Sequence, residues 1–216
     1  MQKYIDFRKE IDYEKLEEVA NLIKKGKIVI FPTETVYGIG TNGLDENAIK
    51  RLYEVKKRPL SKPINLLVSD IKMVERISKN ISNIEYKLMK NFFPGPFTII
   101  LNKGEIVPDI LTANGNTVGV RMPDGEIARK LVEYAEVPIA APSANISGKP
   151  SGTNLETIKK DFNDKIVDCF IDGGESKLGI ASTIVKVIDD VPHILRIGSI
   201  SEQDIKNVVG KVIVDI

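Results

Sequence analysis

The sequence predicts an α/β (α+β) fold: a mixed, twisted and open sheet flanked by helices. Helix-period and strand-period segments alternate along the chain, some strand-like segments follow one another directly, and no repeat or low-complexity tract breaks the series. The first helix runs from about Asp12 to Lys25. Leu16, Val19, Ala20, Leu22 and Ile23 recur there at helical spacing, Asp12 can cap the start and Gly26 can stop it. Lys27 to Phe31 reads as a buried strand, Glu46 to Lys56 as a helix behind Asp45, and Ile64 to Val68 as a short apolar strand. Two helical stretches follow, the second opening at Ser82-Asn83-Ile84-Glu85, which has the form of a capping box. After Pro94-Gly95-Pro96, Phe97 to Leu101 and Thr117 to Arg121 are strands. A helix near Glu126 to Tyr134 leads into the strand Pro138 to Ala141. Thr153-Asn154-Leu155-Glu156 has the form of a second capping box, starting a helix that ends near Phe162. CFID, TIVKV and HILRI are strands, a last helix covers Ser201 to Val208, and KVIVDI ends the sequence.

A chain of 216 residues suits one domain spanning 1–216. With 31 Lys and Arg against 30 Asp and Glu, the net charge of +1 provides no general field for RNA or an anionic membrane. Anion binding must therefore come from local clusters. Seven Phe, six Tyr and no Trp also argue against a base-stacking RNA module, so direct tRNA binding is expected to be weak or absent. The charged start MQKYIDFRKEIDYEKLEE lacks the apolar core of a signal peptide, and no run of eighteen apolar residues occurs, so a cytoplasmic protein without a membrane span is expected. One cysteine, Cys169, excludes a disulfide within the chain. One histidine, His193, cannot build a His-rich zinc site and is the single residue on which a Ser-His-Asp triad would depend.

Four stretches are too polar, and too rich in Gly and Pro, to be core. Phe31 to Gly40 (FPTETVYGIG) leaves a strand with hydroxyls and glycines where a ligand can approach the backbone. Gly38-Ile39-Gly40-Thr41-Asn42-Gly43 satisfies G-x-G-x-x-G, yet six residues separate it from the strand end that a dinucleotide fingerprint requires; the alternative is a Gly-rich turn. In Lys56-Lys57-Arg58-Pro59-Leu60-Ser61-Lys62-Pro63-Ile64-Asn65, four cations sit between a helix end and the start of a strand. Lys56 and Lys57 can simply complement the helix dipole, whereas Arg58 and Lys62 flank a rigid turn and suit a polyphosphate. Arg121 closes an apolar strand before Pro123, placed either to pair with a substrate carboxylate or to form a turn ion pair with Asp124. Ala140 to Thr153 (AAPSANISGKPSGT) is a donor-rich loop suited to phosphate or ribose oxygens, but Pro150 after Gly148-Lys149 breaks the Walker pattern.

Taken together and in order, TETVYGIG, KKRPLSKP, FFPGPFTIIL, VGVRMPD, APSANISGKPSGT and ASTIVKV resemble the YrdC family of threonylcarbamoyl-AMP synthases over about residues 10–200. The length matches the short, single-domain form. The resemblance implies formation of threonylcarbamoyl-AMP and pyrophosphate from L-threonine, bicarbonate and ATP, with the product passed to a transferase that modifies adenosine in tRNA. It implies that Lys56, Arg58 and Lys62 hold the ATP phosphates, with Lys56 and Arg58 catalytic. Thr117, Ser143, Asn145, Ser151 and Arg196 would bind the nucleotide. Thr35, Arg121 and Ser182 would contact threonine together with Ala141, whose backbone also borders the nucleotide. Two departures stand out. Lys62-Pro63-Ile64 replaces the NPL of larger relatives, and Leu67, which cannot hydrogen-bond, stands where those have a threonine-contacting His.

The residue chemistry agrees with that mechanism. A carbamate oxygen is already an anionic nucleophile, so attack on the α-phosphate needs alignment and charge neutralisation rather than a dedicated base. Mg²⁺ is expected to arrive with ATP and to be held mainly through its phosphates, no protein metal ligands being assigned and Glu34 the nearest carboxylate. Two rival classes are an RNA-binding module and a carbamoyl-adenylate former of the hydrogenase-maturation kind, the latter found within much longer chains. All of this requires Lys56, Arg58, Lys62 and Arg121 to share one hollow.

Overall fold

The computed structural model describes residues 3–162 and 167–215; the last residue of the terminal KVIVDI run lies outside them. The strands are β1 (Lys3–Asp6), β2 (Val29–Phe31), β3 (Gly38–Asn42), β4 (Leu66–Leu67), β5 (Phe97–Asn102), β6 (Thr117–Arg121), β7 (Ile139–Ala140), β8 (Cys169–Asp172), β9 (Thr183–Ile188), β10 (Val191–Arg196) and β11 (Ile213–Val214). The helices are α1 (Tyr13–Lys24), α2 (Glu46–Lys56), α3 (Ile71–Ile77), α4 (Asn83–Phe92), α5 (Glu126–Ala135), α6 (Leu155–Lys159) and α7 (Glu202–Val209), with a 3-10 turn at Asp109–Thr112.

Local chemistry sets most helix starts. Asp12, Asp45 and Asp70 each accept a backbone N–H from the first turn that follows, satisfying donors the helix cannot. Ser82 and Glu85 form the expected capping box, and Ser201 with Asp204 forms another. The expected box at Thr153 is displaced by one residue: Asn154 caps α6 by accepting from the Thr157 amide, which moves Glu156 out of the bonding position. Leu16, Val19, Ala20 and Ile23 of α1 are fully buried, as their spacing requires.

Among the described residues the strands form one sheet in the order β1-β8-β2-β3-β7-β4-β6-β5-β9-β10-β11. Pairing is mixed. β1 and β2 run parallel to β8, β4 to β6, β5 to β9 and β11 to β10, while β2/β3, β3/β7, β4/β7, β5/β6 and β9/β10 are antiparallel. Helix α1 packs on α5 and over β2 and β3, and α4 packs on α7 and β5. No helix among the described residues is long and apolar enough to cross a membrane.

The sequence reading needs correction at β3. Gly38 to Gly40, read as the end of a polar, glycine-bearing segment open to a ligand, and the Gly38 to Gly43 run, weighed as a dinucleotide loop or a Gly-rich turn, fall instead largely in a buried strand, Gly38 to Asn42. Its glycines serve close packing: a Cβ on Gly40 would stand 2.7 Å from Ile139 Cγ2, and one on Gly43, just past the strand, 2.4 Å from Leu66 Cδ2. β1, at the sheet edge, was also not anticipated; it forms by parallel pairing on β8, a partner more than 160 residues away.

Candidate active site

The turn between β2 and β3 is shaped by its own hydroxyls. Thr33 Oγ1 donates to the Val36 carbonyl (2.6 Å), accepts from the Thr35 amide (3.2 Å) and lies 2.9 Å from Thr35 Oγ1. Thr35 is thereby turned inward and fully buried. Arg121, at the end of β6, meets it. Nη1 donates to Thr35 Oγ1 (2.8 Å), Nη2 to Glu34 Oε1 (2.5 Å) and Nε to the Gly95 carbonyl (3.1 Å). The second Glu34 oxygen accepts the Gly125 N–H at the start of α5 (3.2 Å). Of the two readings open for Arg121, the pair with Asp124 is not formed; its carboxylate partner is Glu34. Three of the five guanidinium N–H groups are engaged, which leaves two for a ligand.

The loop after β7 is fastened along this turn by backbone bonds. Ile39 donates to the Pro142 carbonyl (3.0 Å), Ala144 to Tyr37 (2.7 Å) and Tyr37 to Gly152 (3.1 Å). The segment after β8 is tied over both, Leu178 donating to the Glu34 carbonyl (2.9 Å) and Ser176 to Thr153 (2.8 Å). Three segments distant in sequence therefore form one wall.

The Lys-x-Arg pair divides in two. Lys56 ends α2 on its buried face, 1% exposed, and its Nζ donates to the carbonyls of Ser143 and Asn145 (2.6 Å to the latter) and to Asn145 Oδ1 (3.3 Å). Burial, reinforced by the Arg58 charge, pulls its ammonium down to about 7. Lys57 then adopts the left-handed conformation (φ 50°, ψ 41°) and redirects the chain. Arg58 consequently faces the hollow, anchored through Nε to the Lys62 carbonyl (3.0 Å) and through Nη2 to the Pro63 carbonyl (2.8 Å). Lys62 contributes that carbonyl, while its residue is solvent-exposed.

On the far wall, Arg196 of β10 donates through Nε and Nη2 to the Ser182 carbonyl (3.0 and 2.7 Å), and Ser182 Oγ lies 2.7 Å from Thr98 Oγ1. Burial lowers the pKa of both Arg58 and Arg196, and Arg121 lowers Arg196 further. Arginine does not release its proton in proteins, so both groups stay charged while partly desolvated, a situation an incoming anion would relieve.

These walls enclose a cavity of about 170 Å³ lined by Thr35, Arg58, Arg121, Ala141, Ser143, Ser151, Ser182 and Arg196, among others. A recess of about 40 Å³ deepens it beside Thr35, Leu67, Arg121 and Ala141. Four residues singled out from the sequence do not line it: Lys56, Lys62, Asn145 and Thr117. Lys56 and Asn145 are committed to the loop from inside, Asn145 accepting from Ser143 Oγ (2.6 Å) and donating to the Lys149 carbonyl (2.5 Å). The expectation that four cations share one hollow is corrected to Arg58 and Arg121, joined by Arg196. A larger hollow of about 710 Å³ lies between β1 and the start of α1, but it contains none of the motif residues.

A family model for Sua5/YciO/YrdC, described as "Telomere recombination", matches residues 21–198. The chain belongs to the Sua5/YciO/YrdC family. Relatives include the threonylcarbamoyl-AMP synthases of Pyrococcus abyssi, 46% identical over 96% of this chain and 61% of that protein, and of Bacillus subtilis, 39% identical over 93% and 58%. The chain thus spans about six tenths of the length of these relatives. Among solved structures, P. abyssi Sua5 complexed with L-threonine superposes with a TM-score of 0.94 at 44% identity, covering 98% of this chain and 62% of that one. E. coli YciO superposes with a TM-score of 0.80 at 28% identity, covering 92% and 96%.

In this member of the Sua5/YciO/YrdC family the cavity also recruits residues of the singled-out stretches to which the sequence assigned no role. Asn65 and Thr98 stand among apolar neighbours in strand-like runs and offered one signal, a lone polar side chain on an otherwise apolar face. No carboxylate lines the cavity among the described residues, both Glu34 oxygens are bonded within the protein, and no cluster of His, Cys, Asp or Glu able to hold a metal occurs there.

Proposed function

We propose that this chain, as one domain, is an L-threonylcarbamoyladenylate synthase and hence a nucleotidyltransferase acting on L-threonine, bicarbonate and ATP. The observation that carries the reading is three arginines converging on one small cavity whose lining contains hydroxyls and no carboxylate. Such a site attracts anions and offers no general base. Threonine carbamate, formed from the amine and bicarbonate with loss of water, needs none: its anionic oxygen attacks the α-phosphorus, the new O–P bond forms, and pyrophosphate leaves with the broken P–O bond's electrons.

Roles follow from position. The recess beside Thr35 and Ala141 suits the amino acid, with Ser182 on the wall of the adjoining cavity and the two unused Arg121 N–H groups as donors to its carboxylate. Arg58 and Ser143 face the phosphates, Ser151 and Arg196 border the nucleotide, and Lys56 and Asn145 act through the loop they hold. Thr117 lies two residues beyond Gly119 on the same face of β6, where the nucleoside can extend. A cavity of about 170 Å³ is below the roughly 300–1,000 Å³ that encloses drug-sized ligands, so ATP must project past its mouth. The lining offers no carboxylate ligand for Mg²⁺. A metal entering with ATP would be held by phosphate oxygens and water, and no step is assigned to it. The names of the relatives support threonylcarbamoyl-AMP as the product; a cytoplasmic setting and delivery of that adenylate to a tRNA-modifying transferase complete the proposal.

ATP–pyrophosphate exchange tests it: label is expected to enter ATP only with both threonine and bicarbonate present. Exchange without threonine, or with carbamoyl phosphate replacing it, would reject the assignment, and a nucleic-acid-binding module would show no exchange at all.

A further inference from the structure

Most polar groups around the cavity are already bonded within the protein. Arg121, Arg196, Ser182, Thr98, Ser143 and Asn145 each have a protein partner for the side chain. Asn65 differs. Its backbone carbonyl accepts from the Ala141 amide (3.1 Å), which fixes its position beside β7, but its side-chain carboxamide makes no hydrogen bond to any described residue although the residue lines the cavity. The carboxamide is not loose either. Asn65 stands one residue before the Leu66–Val120 pair of β4 and β6, and its Oδ1 lies 2.1 Å from where a Gly119 Cβ would be. Glycine at 119 is therefore the seat on which the amide rests, with Ile100 Cδ1 closing the same space. An amide held in place on its oxygen side and half-buried, with its Nδ2 hydrogens unspent, is a donor prepared for a ligand acceptor.

Position selects the acceptor. Arg121, Gly119 and Thr117 alternate along one face of β6. Along that face the position next to Arg121 is Gly119, on which Asn65 rests, and the one after it is Thr117, on the side where the nucleoside would extend. We propose that Asn65 contacts the nucleoside part of bound ATP, donating from Nδ2 to a neutral ribose or base acceptor and holding the nucleotide in register with the amino acid. This rests on the adenylating function proposed above.

The test compares three probes by calorimetry on the full chain: ATP, tripolyphosphate, which lacks the nucleoside, and L-threonine. Asn65→Leu keeps the volume and removes the donor. ATP affinity is expected to fall about tenfold, the usual consequence of losing one ligand hydrogen bond, with tripolyphosphate and threonine affinities unchanged. In exchange assays KM for ATP is expected to rise while KM for threonine stays level. Gly119→Ala, which evicts the amide without deleting it, is expected to reproduce the pattern, and Asn65→Ser serves if the leucine variant is poorly folded. Unchanged ATP affinity in a folded Asn65 variant, an equal loss for tripolyphosphate, or a folded Gly119→Ala protein with normal ATP affinity would each overturn the proposal. Failure of the wild-type chain to bind ATP would instead overturn the adenylating function itself, so the two failures are told apart.

Discussion

At the scale of single residues, the Lys-x-Arg pair places Lys56 and Arg58, two positions apart, in opposite situations. Arg58 is anchored at its base by two backbone carbonyls and presents its remaining fork to the cavity. Such a preorganised donor stabilises charge that develops in the transition state without reorganising. Arg58→Ala is expected to lower kcat/KM by about 2–4 kcal/mol of transition-state stabilisation while the circular dichroism and melting curve stay near wild type. Near-normal turnover in that variant would remove Arg58 from the phosphate site. Lys56, by contrast, spends its ammonium on the Ser143–Asn145 loop. Its folded pKa, about 7, lies below the 10.5 of the free side chain. Between those values the unfolded chain binds more protons than the native one, so the contribution of this group to stability rises with pH across that window. Urea titrations from pH 7 to 10 are expected to show the stability difference between wild type and Lys56→Met growing as pH increases. A difference that is flat or shrinks would mean that Lys56 keeps its proton in the fold.

At the scale of elements, the cavity depends on how closely β3, β7 and β4 approach. β7 pairs with both neighbours, and its continuation supplies Ala141, while β4 supplies Leu67 and the preceding Asn65. Gly43 permits this approach: a Cβ there would also lie 2.7 Å from the Pro138 carbonyl, a backbone atom that cannot rotate away. Gly43→Ala is expected to destabilise the fold by about 1–3 kcal/mol, the usual effect of overpacking, and to weaken ligand binding along with it. A denaturation midpoint equal to wild type would show that the strands tolerate a wider spacing. Helix starts are more local matters. Asp12, Asp45 and Ser82 could be read directly because a cap and its recipient amide are only three residues apart. The displaced cap at Asn154 marks the limit of that reading, since Thr153 and Asn154 are both competent acceptors and only the path of the chain chooses between them.

At the scale of the whole molecule, the cavity draws on the β2–β3 turn, the α2–β4 turn, β5, β6, the loop after β7 and the β9–β10 pair. A ligand that binds there couples both halves of the sheet and binds only the folded state. Saturation with ATP at about 100 times Kd is expected to stabilise the protein by about 2.7 kcal/mol, a rise in Tm of roughly 5–10 °C for a chain of this size. Threonine added with ATP is expected to raise it further. A melting temperature indifferent to ATP would place nucleotide binding elsewhere or nowhere on this chain.

The sequence by itself determined the alternation that makes a mixed sheet, the ends of most helices, and the ordered set of polar motifs by which the family is recognised. These depend on periodicity, capping and residue type, which act over a few neighbouring positions. Only the tertiary structure decided which polar groups remain open to a ligand. Lys56 and Ser143 are 87 residues apart, as are Arg121 and Glu34, and Asn65 rests on a glycine from another strand. A side chain is available for chemistry only when no protein group has already satisfied it, and that depends on which distant segments the folded sheet brings together.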